Sequence, residues 1–149
     1  MLKQRIEDDL KSAMLSGNAV VANTLKMIKS AILYKEVELG NRDSGLADDQ
    51  VIDVLTKEAK KRQEASVMYS KAERLDQAAA EQAEYEIIAQ YLPSQLSDEE
   101  LSVVVSEVLS SNPGATAKDM GKIIGEVKAK VGASAEGSRV ASLVKQKLS

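Results

Sequence analysis

The chain has 149 residues, a net charge of −3 and an aromatic fraction of only 3%. It contains no cysteine and no histidine, which excludes disulfides, zinc–thiolate sites, histidine-ligated metals and catalytic triads built on either residue. Four tyrosines without phenylalanine or tryptophan are also too few for the aromatic platforms on which RNA-binding sheets and barrels stack bases.

Charge is distributed unevenly along the chain. Residues 1–92 carry 13 basic and 16 acidic side chains, residues 93–111 carry none and 4, and residues 112–149 carry 7 and 3. Only the last segment is basic. No segment approaches the roughly 20 apolar residues of a membrane helix, and the first residues lack the apolar run of a signal peptide. We therefore expect a cytoplasmic protein without a membrane segment.

Apolar residues recur at helical spacing throughout the first 92 residues, which predicts an N-terminal domain of about four helices. Gly17 ends the first helix, and Asn18 is positioned to cap the second. The third helix is expected to begin at Asp48 or Asp49. The predicted helices cover residues 2–16, 19–39, 48 or 49 to about 69, and about 75–92.

A domain boundary is predicted around Pro93. Proline disfavours helical geometry at the preceding residue, so the fourth helix should end near Leu92. Ser97 and Glu100 have the spacing of a capping box, in which each side chain accepts from the backbone N–H of the other. One helix therefore stops and another starts within a few residues.

The segment from residue 96 to residue 149 is predicted to form a three-helix bundle. Apolar residues from Leu101 to Leu109 follow the helical period, and Thr116 with Asp119 resembles a second capping box. Gly132 ends the middle helix, and Ser134 is expected to start the last. The predicted fold is therefore all-α, with two domains at 1–92 and 96–149.

Several blocks of the chain resemble the GatB/YqeY family. They lie at residues 24–32, 35–38, 61–69, 74–76, 120–125 and 135–137, together with Tyr91-Leu92-Pro93-Ser94-Gln95-Leu96. The resemblance implies a likeness to the helical tail of the B subunit of the tRNA amidotransferase. That tail engages tRNA, whereas a separate body of the subunit carries out the carbon–nitrogen ligase chemistry with glutamine as donor.

The resemblance therefore implies a non-catalytic module associated with tRNA, or with a tRNA synthetase or amidotransferase component. No cofactor or metal is expected. A helical protein–protein adaptor that does not bind RNA is the alternative, and an enzyme that uses carboxylates or lysine is a third possibility. Glu81, Glu84 and Glu86 are too poorly aligned on one helix face to favour a metal site.

Basic residues of the C-terminal bundle are the candidate RNA contacts, because neutralising phosphates releases counterions. They are Lys118, Lys122, Lys128, Lys130, Arg139 and Lys145, with Lys147 as a seventh basic residue. A solvated polar surface is the alternative explanation. Lys122 and Lys128 are expected to project outward rather than pair within the bundle, and phosphate should avoid the acidic residues at 98–107.

Two glycines of the middle helix need a separate explanation. Gly121 and Gly125 lie four residues apart on one helix face, where glycine costs roughly 0.5–1 kcal/mol relative to alanine. They either allow a phosphate backbone to approach closely or allow tight helix–helix packing. Another basic run consists of Lys57, Lys60, Lys61 and Arg62, for which pairing with neighbouring acids is the simpler interpretation.

Overall fold

A computed structural model describes all residues from 1 to 149. It contains seven α-helices, two single turns of 3₁₀ helix and no strand, which confirms the predicted all-α class. The chain divides into two compact units, Met1–Leu92 and Pro93–Ser149. None of its helices has the length and apolar character needed to cross a membrane.

Four helices build the first unit. Asn18 accepts a hydrogen bond from the N–H of Val21 at 3.3 Å, as its position before the second helix predicts. The fourth helix ends three residues earlier than predicted, because the backbone before Pro93 tightens into a turn in which the N–H of Leu92 donates to Ala89. The helices are α1 (Leu2–Ser16), α2 (Ala19–Glu38), α3 (Asp48–Lys71) and α4 (Leu75–Ala89).

The core of the first unit lies around α2. Its residues Leu25, Ile28 and Ile32 are almost completely buried, as their spacing of three and four residues requires. The other three helices surround this stripe. The core also contains Ile6, Leu10 and Ala13 from α1, Val51, Val54, Leu55 and Ala59 from α3, Ile88 from α4, and Tyr91 from the turn after α4.

Helices α3 and α4 form a long hairpin whose outer half is held by polar contacts. The guanidinium of Arg62 donates to Glu84 at 3.0 Å and to Glu58 at 3.3 Å. Further toward the tip, the hydroxyl of Ser66 donates to the carbonyl of Ala78 at 3.1 Å. Paired charges therefore replace apolar packing where the hairpin leaves the core.

Three helices build the second unit, with 3₁₀ turns before and after the middle one. They are α5 (Asp98–Ser110), α6 (Met120–Val131) and α7 (Gly137–Leu148), with the 3₁₀ turns at Ala117–Asp119 and Gly132–Ser134. The start predicted for the last helix at Ser134 is wrong. Ala135 is extended and buried in the core, so the last helix can begin only after it.

Both capping boxes of the second unit are present. The N–H of Glu100 donates to the Ser97 hydroxyl at 3.1 Å, and the N–H of Ser97 donates to the Glu100 carboxylate at 3.4 Å. The N–H of Thr116 donates to Asp119 at 2.9 Å. The core between the three helices is purely aliphatic: Leu101, Val105, Val108, Ile123, Val127, Val131, Ala135, Val140 and Val144.

Candidate nucleic-acid interface

Four of the predicted RNA contacts are exposed lysines of the second unit whose ammonium groups take part in no hydrogen bond or ion pair. We call them the outer lysines. They are Lys118 in the 3₁₀ turn before α6, Lys122 and Lys130 on α6, and Lys145 on α7. These cations are available to a ligand without the loss of an internal contact.

Lys128 does not project outward as predicted. Its ammonium group donates to the carbonyl of Gly132 at 2.9 Å and to the carbonyl of Ala135 at 2.8 Å. A helix leaves its last carbonyls without intrahelical partners, and a cation near the C-terminus can satisfy carbonyls there. Lys128 therefore fastens the turn after α6, and the prediction that it faces solvent freely is wrong.

Arg139 also makes contacts within the bundle. Its guanidinium donates to the carbonyl of Leu96 and to the carboxylate of Asp98, both at 2.8 Å. These bonds tie the start of α7 to the start of α5. Lys147 similarly donates to the hydroxyl of Ser106 at 2.9 Å. Two of the predicted RNA contacts, Lys128 and Arg139, thus have structural partners, which the sequence pattern gave no means of seeing.

Gly121 and Gly125 lie on the outward surface of α6, opposite Ile123 and Val127. A Cβ atom built on either glycine meets nothing within 4 Å. Close helix–helix packing within the bundle, one of the two explanations for these glycines, is therefore wrong. The outward surface of α6 thus has a stripe of small residues at Gly121, Gly125 and Ala129, with Lys122 beside it and Glu126 between Lys122 and Lys130.

Acidic groups near this surface are largely occupied by internal donors. Asp119 accepts from the N–H of Thr116, and Glu126 accepts from the side-chain amide of Asn112 at 2.7 Å. Asp98 is paired with Arg139. Glu126 lies between Lys122 and Lys130 on α6, whereas the remaining acids of α5 belong to a different helix.

The other basic run, on α3, is mostly neutralised. Lys61 pairs with Glu58 at 3.1 Å, and the guanidinium of Arg62 lies between Glu58 and the glutamates of α4. Pairing within α3 and with α4 thus explains Lys61 and Arg62, in line with the simpler interpretation of this run. Glu81 and Glu84 both face the same arginine.

Taken together, the fold and its charges define an all-helical protein of two units, the second of which presents four unpaired lysines and an open surface on α6. The chain belongs to the YqeY-like protein family, whose model matches residues 3–148. This assignment agrees with the resemblance of the sequence blocks.

Two fungal proteins are similar to the chain. An uncharacterised protein of Schizosaccharomyces pombe is 36% identical over 99 residues, which cover 65% of this chain and 76% of that protein. The mitochondrial protein named altered inheritance of mitochondria protein 41, from Meyerozyma guilliermondii, is 35% identical over 89 residues, or 60% of this chain. The matched part spans 45% of that second protein's length.

Proposed function

We propose that this protein is a cytoplasmic, non-catalytic module that associates with tRNA through its second unit, as the tail of the tRNA amidotransferase B subunit does. The observation that carries the proposal is the set of four outer lysines, three of which lie on α6 or in the turn before it. The resemblance of the sequence blocks to that tail supports the proposal, and the chain belongs to the YqeY-like family.

Phosphate contacts would provide most of the affinity. Each lysine that neutralises a phosphate releases condensed counterions, so binding depends strongly on salt concentration. The two glycines of α6 leave room for a sugar–phosphate backbone to lie close to the helix. Lys122, which lies beside these glycines on the helix surface, would then contact a phosphate of that backbone.

Base recognition is expected to be weak. The second unit contains no aromatic residue on which an unpaired base could stack, since all four tyrosines precede residue 92. Phosphate contacts fix position but carry no sequence information directly. The choice of a particular tRNA would therefore come from a partner, such as a tRNA synthetase or an amidotransferase component.

A titration of the full chain with bulk tRNA at two salt concentrations tests the proposal. We expect binding at 50 mM salt that weakens by at least tenfold at 200 mM, because several phosphate contacts are lost to counterions. Absence of binding at 50 mM would reject the tRNA proposal and favour the protein–protein adaptor. Salt-independent binding would reject the phosphate mechanism.

The same proposal predicts no amidotransferase activity for the chain alone. Incubation with glutamine, ATP, Mg²⁺ and glutamyl-tRNA should leave the aminoacyl group unchanged. Formation of glutaminyl-tRNA by the isolated chain would contradict the non-catalytic assignment.

A further inference from the structure

Helix α2 carries a second apolar stripe on the side opposite the core. We call it the outer seam. Its bulky members are strongly exposed: Val20 is 56% exposed, Met27 42%, Tyr34 75% and Val37 58%. Asn23 and Ser30 lie between them and are also exposed. The outer seam thus consists of Val20, Asn23, Met27, Ser30, Tyr34 and Val37.

The outer seam plays no part in the core of the first unit. The side chains of α2 that fill that core lie about half a helical turn away, at Leu25, Ile28 and Ile32. No charged residue interrupts the seam over its 18 positions, although α2 has lysines and a glutamate beside it. At 1.5 Å per residue it runs for about 25 Å. Four of its six members are apolar and exposed, and exposed apolar surfaces of this extent mark interaction sites.

The spacing of the outer seam is that of a coiled coil. Val20, Met27 and Tyr34 recur every seven residues, and Asn23, Ser30 and Val37 follow each of them by three. These are the a and d positions of a heptad repeat, which face a partner helix. The pattern therefore specifies another helix as the occupant of this surface.

We propose that the outer seam packs antiparallel against the outer seam of a second copy of this chain. A two-fold axis between residues 28 and 29 places Val20 opposite Val37, Met27 opposite Ser30, and Tyr34 opposite Asn23 of the other copy. The two largest side chains then meet the two smallest ones. This large-to-small matching is what close helix packing requires, and it repeats itself under the two-fold operation.

Residues beside the outer seam also suit a second copy. In the same antiparallel register Lys26 lies near Leu33 of the other copy, so that its aliphatic stem can cover an apolar side chain while its ammonium group remains in water. Glu38 is already paired with Lys35 at 3.1 Å and needs no further partner. A nucleic acid would instead require cations within the seam, and the seam contains none.

The length of the outer seam sets the strength of this association. Stable interfaces bury about 1,200–2,000 Å² in total, and a single pair of helices about 25 Å long lies near the lower limit. We therefore expect a dimer that forms at micromolar concentrations and dissociates on dilution. This inference does not depend on tRNA binding.

Sedimentation velocity of the full chain over about 1–300 μM tests the inference. We expect the wild type to change from monomer to dimer over this range and Met27→Glu to remain a monomer, because two buried carboxylates would oppose association. Met68→Glu is the matched control: Met68 is 71% exposed on α3, outside the seam, and this variant should dimerise as the wild type does. A wild type that stays monomeric at 300 μM, or equal behaviour of the two variants, would overturn the proposal.

Spin labels provide a second test that does not depend on disrupting the seam. Because the chain has no cysteine, Lys26→Cys and Ala19→Cys each give a single labelling site. From the helical rise and an interaxial distance of about 8–10 Å, the backbones at position 26 should lie about 12 Å apart and those at position 19 about 30 Å apart. We expect dipolar broadening for label 26 and a longer distance for label 19. Short distances at both sites would indicate parallel helices and contradict the proposal.

Discussion

The ammonium group of Lys3 lies 2.6 Å from Oε1 of Glu36, a carboxylate that is only 1% exposed. The same oxygen accepts the N–H of Leu46 at 3.4 Å. Because Lys3 belongs to α1, Glu36 to α2 and Leu46 to the segment before α3, one carboxylate holds three parts of the first unit together.

Removing the cation from this buried group should destabilise the first unit. We expect Lys3→Met to lower the free energy of unfolding by about 1–3 kcal/mol, because the Glu36 charge would remain buried with one weak donor. Lys11→Met removes the charge of an exposed lysine on the same helix. This control should change the free energy of unfolding by less than about 0.5 kcal/mol. Urea unfolding monitored by circular dichroism measures both. Equal effects would show that the pair is not structurally important.

Because of Tyr91, the stability of the first unit should depend on pH in the alkaline range. Burial, followed by the hydrogen bond from its hydroxyl to Asp9 at 2.5 Å, raises the pKa of Tyr91 well above its usual value near 10. The unfolded chain therefore ionises first. The stabilisation is complete below about pH 10 and is lost as pH rises toward the folded-state pKa.

The measurement is urea unfolding between pH 8 and pH 11. Tyr91→Phe should be less stable than the wild type at pH 8, by about 1 kcal/mol, because Asp9 loses a donor. Its stability should also fall less steeply above pH 10. Tyr34→Phe, at an exposed site, serves as the control and should follow the wild type. Parallel curves for the wild type and Tyr91→Phe would contradict the assignment.

The helices were predictable because their signals are local. The Ser97 and Glu100 capping box and the glycine after α1 depend on residues within one or two turns of each other. The start of the last helix was mispredicted at Ser134 because serine is a common N-cap residue. The local pattern does not show that the next residue, Ala135, is buried in the core in an extended conformation. The partners of Lys128 and Arg139 belong to loops and other helices, and periodicity does not reveal them.

Two features missed by the sequence analysis did leave a signal. Glu36 follows Ile28 and Ile32 at intervals of four, which places a charge on the core side of α2 and implies a buried partner. The outer seam appears as a seven-residue repeat of Val20, Met27 and Tyr34. What the pattern could not provide is the identity of the partner of Glu36, since Lys3 lies 33 residues away in sequence.

Lys128 should matter for stability and not for tRNA binding. We expect Lys128→Met to lower the free energy of unfolding of the second unit by about 1–2 kcal/mol, because the carbonyls of Gly132 and Ala135 lose a charged donor. The salt dependence of tRNA binding should be unchanged. Chemical denaturation and a tRNA titration on the same variant measure the two effects, and a stable variant with weakened binding would reverse this assignment.

Replacing the glycines of α6 by alanine should raise stability and weaken tRNA binding. Alanine at Gly121 and Gly125 fits into open space, so the double variant should be more stable, by about 0.5–1 kcal/mol per site. If a phosphate backbone lies on this surface, the added methyl groups should weaken tRNA binding severalfold. Gly137→Ala, at another glycine with open space around it, is the control for binding. A stabilised double variant with unchanged affinity would move the tRNA away from α6.

The slope of log K against log salt concentration for tRNA binding tests the central claim most directly. The variant carries alanine at three outer lysines, Lys118, Lys122 and Lys130. The control carries alanine at three exposed lysines of the first unit, Lys11, Lys57 and Lys71. Each lost phosphate contact lowers the slope by about one unit, so we predict a decrease of about two to three units for the variant and no change for the control. A variant that keeps the wild-type slope, or a control that loses it, would contradict the assignment of tRNA binding to the second unit.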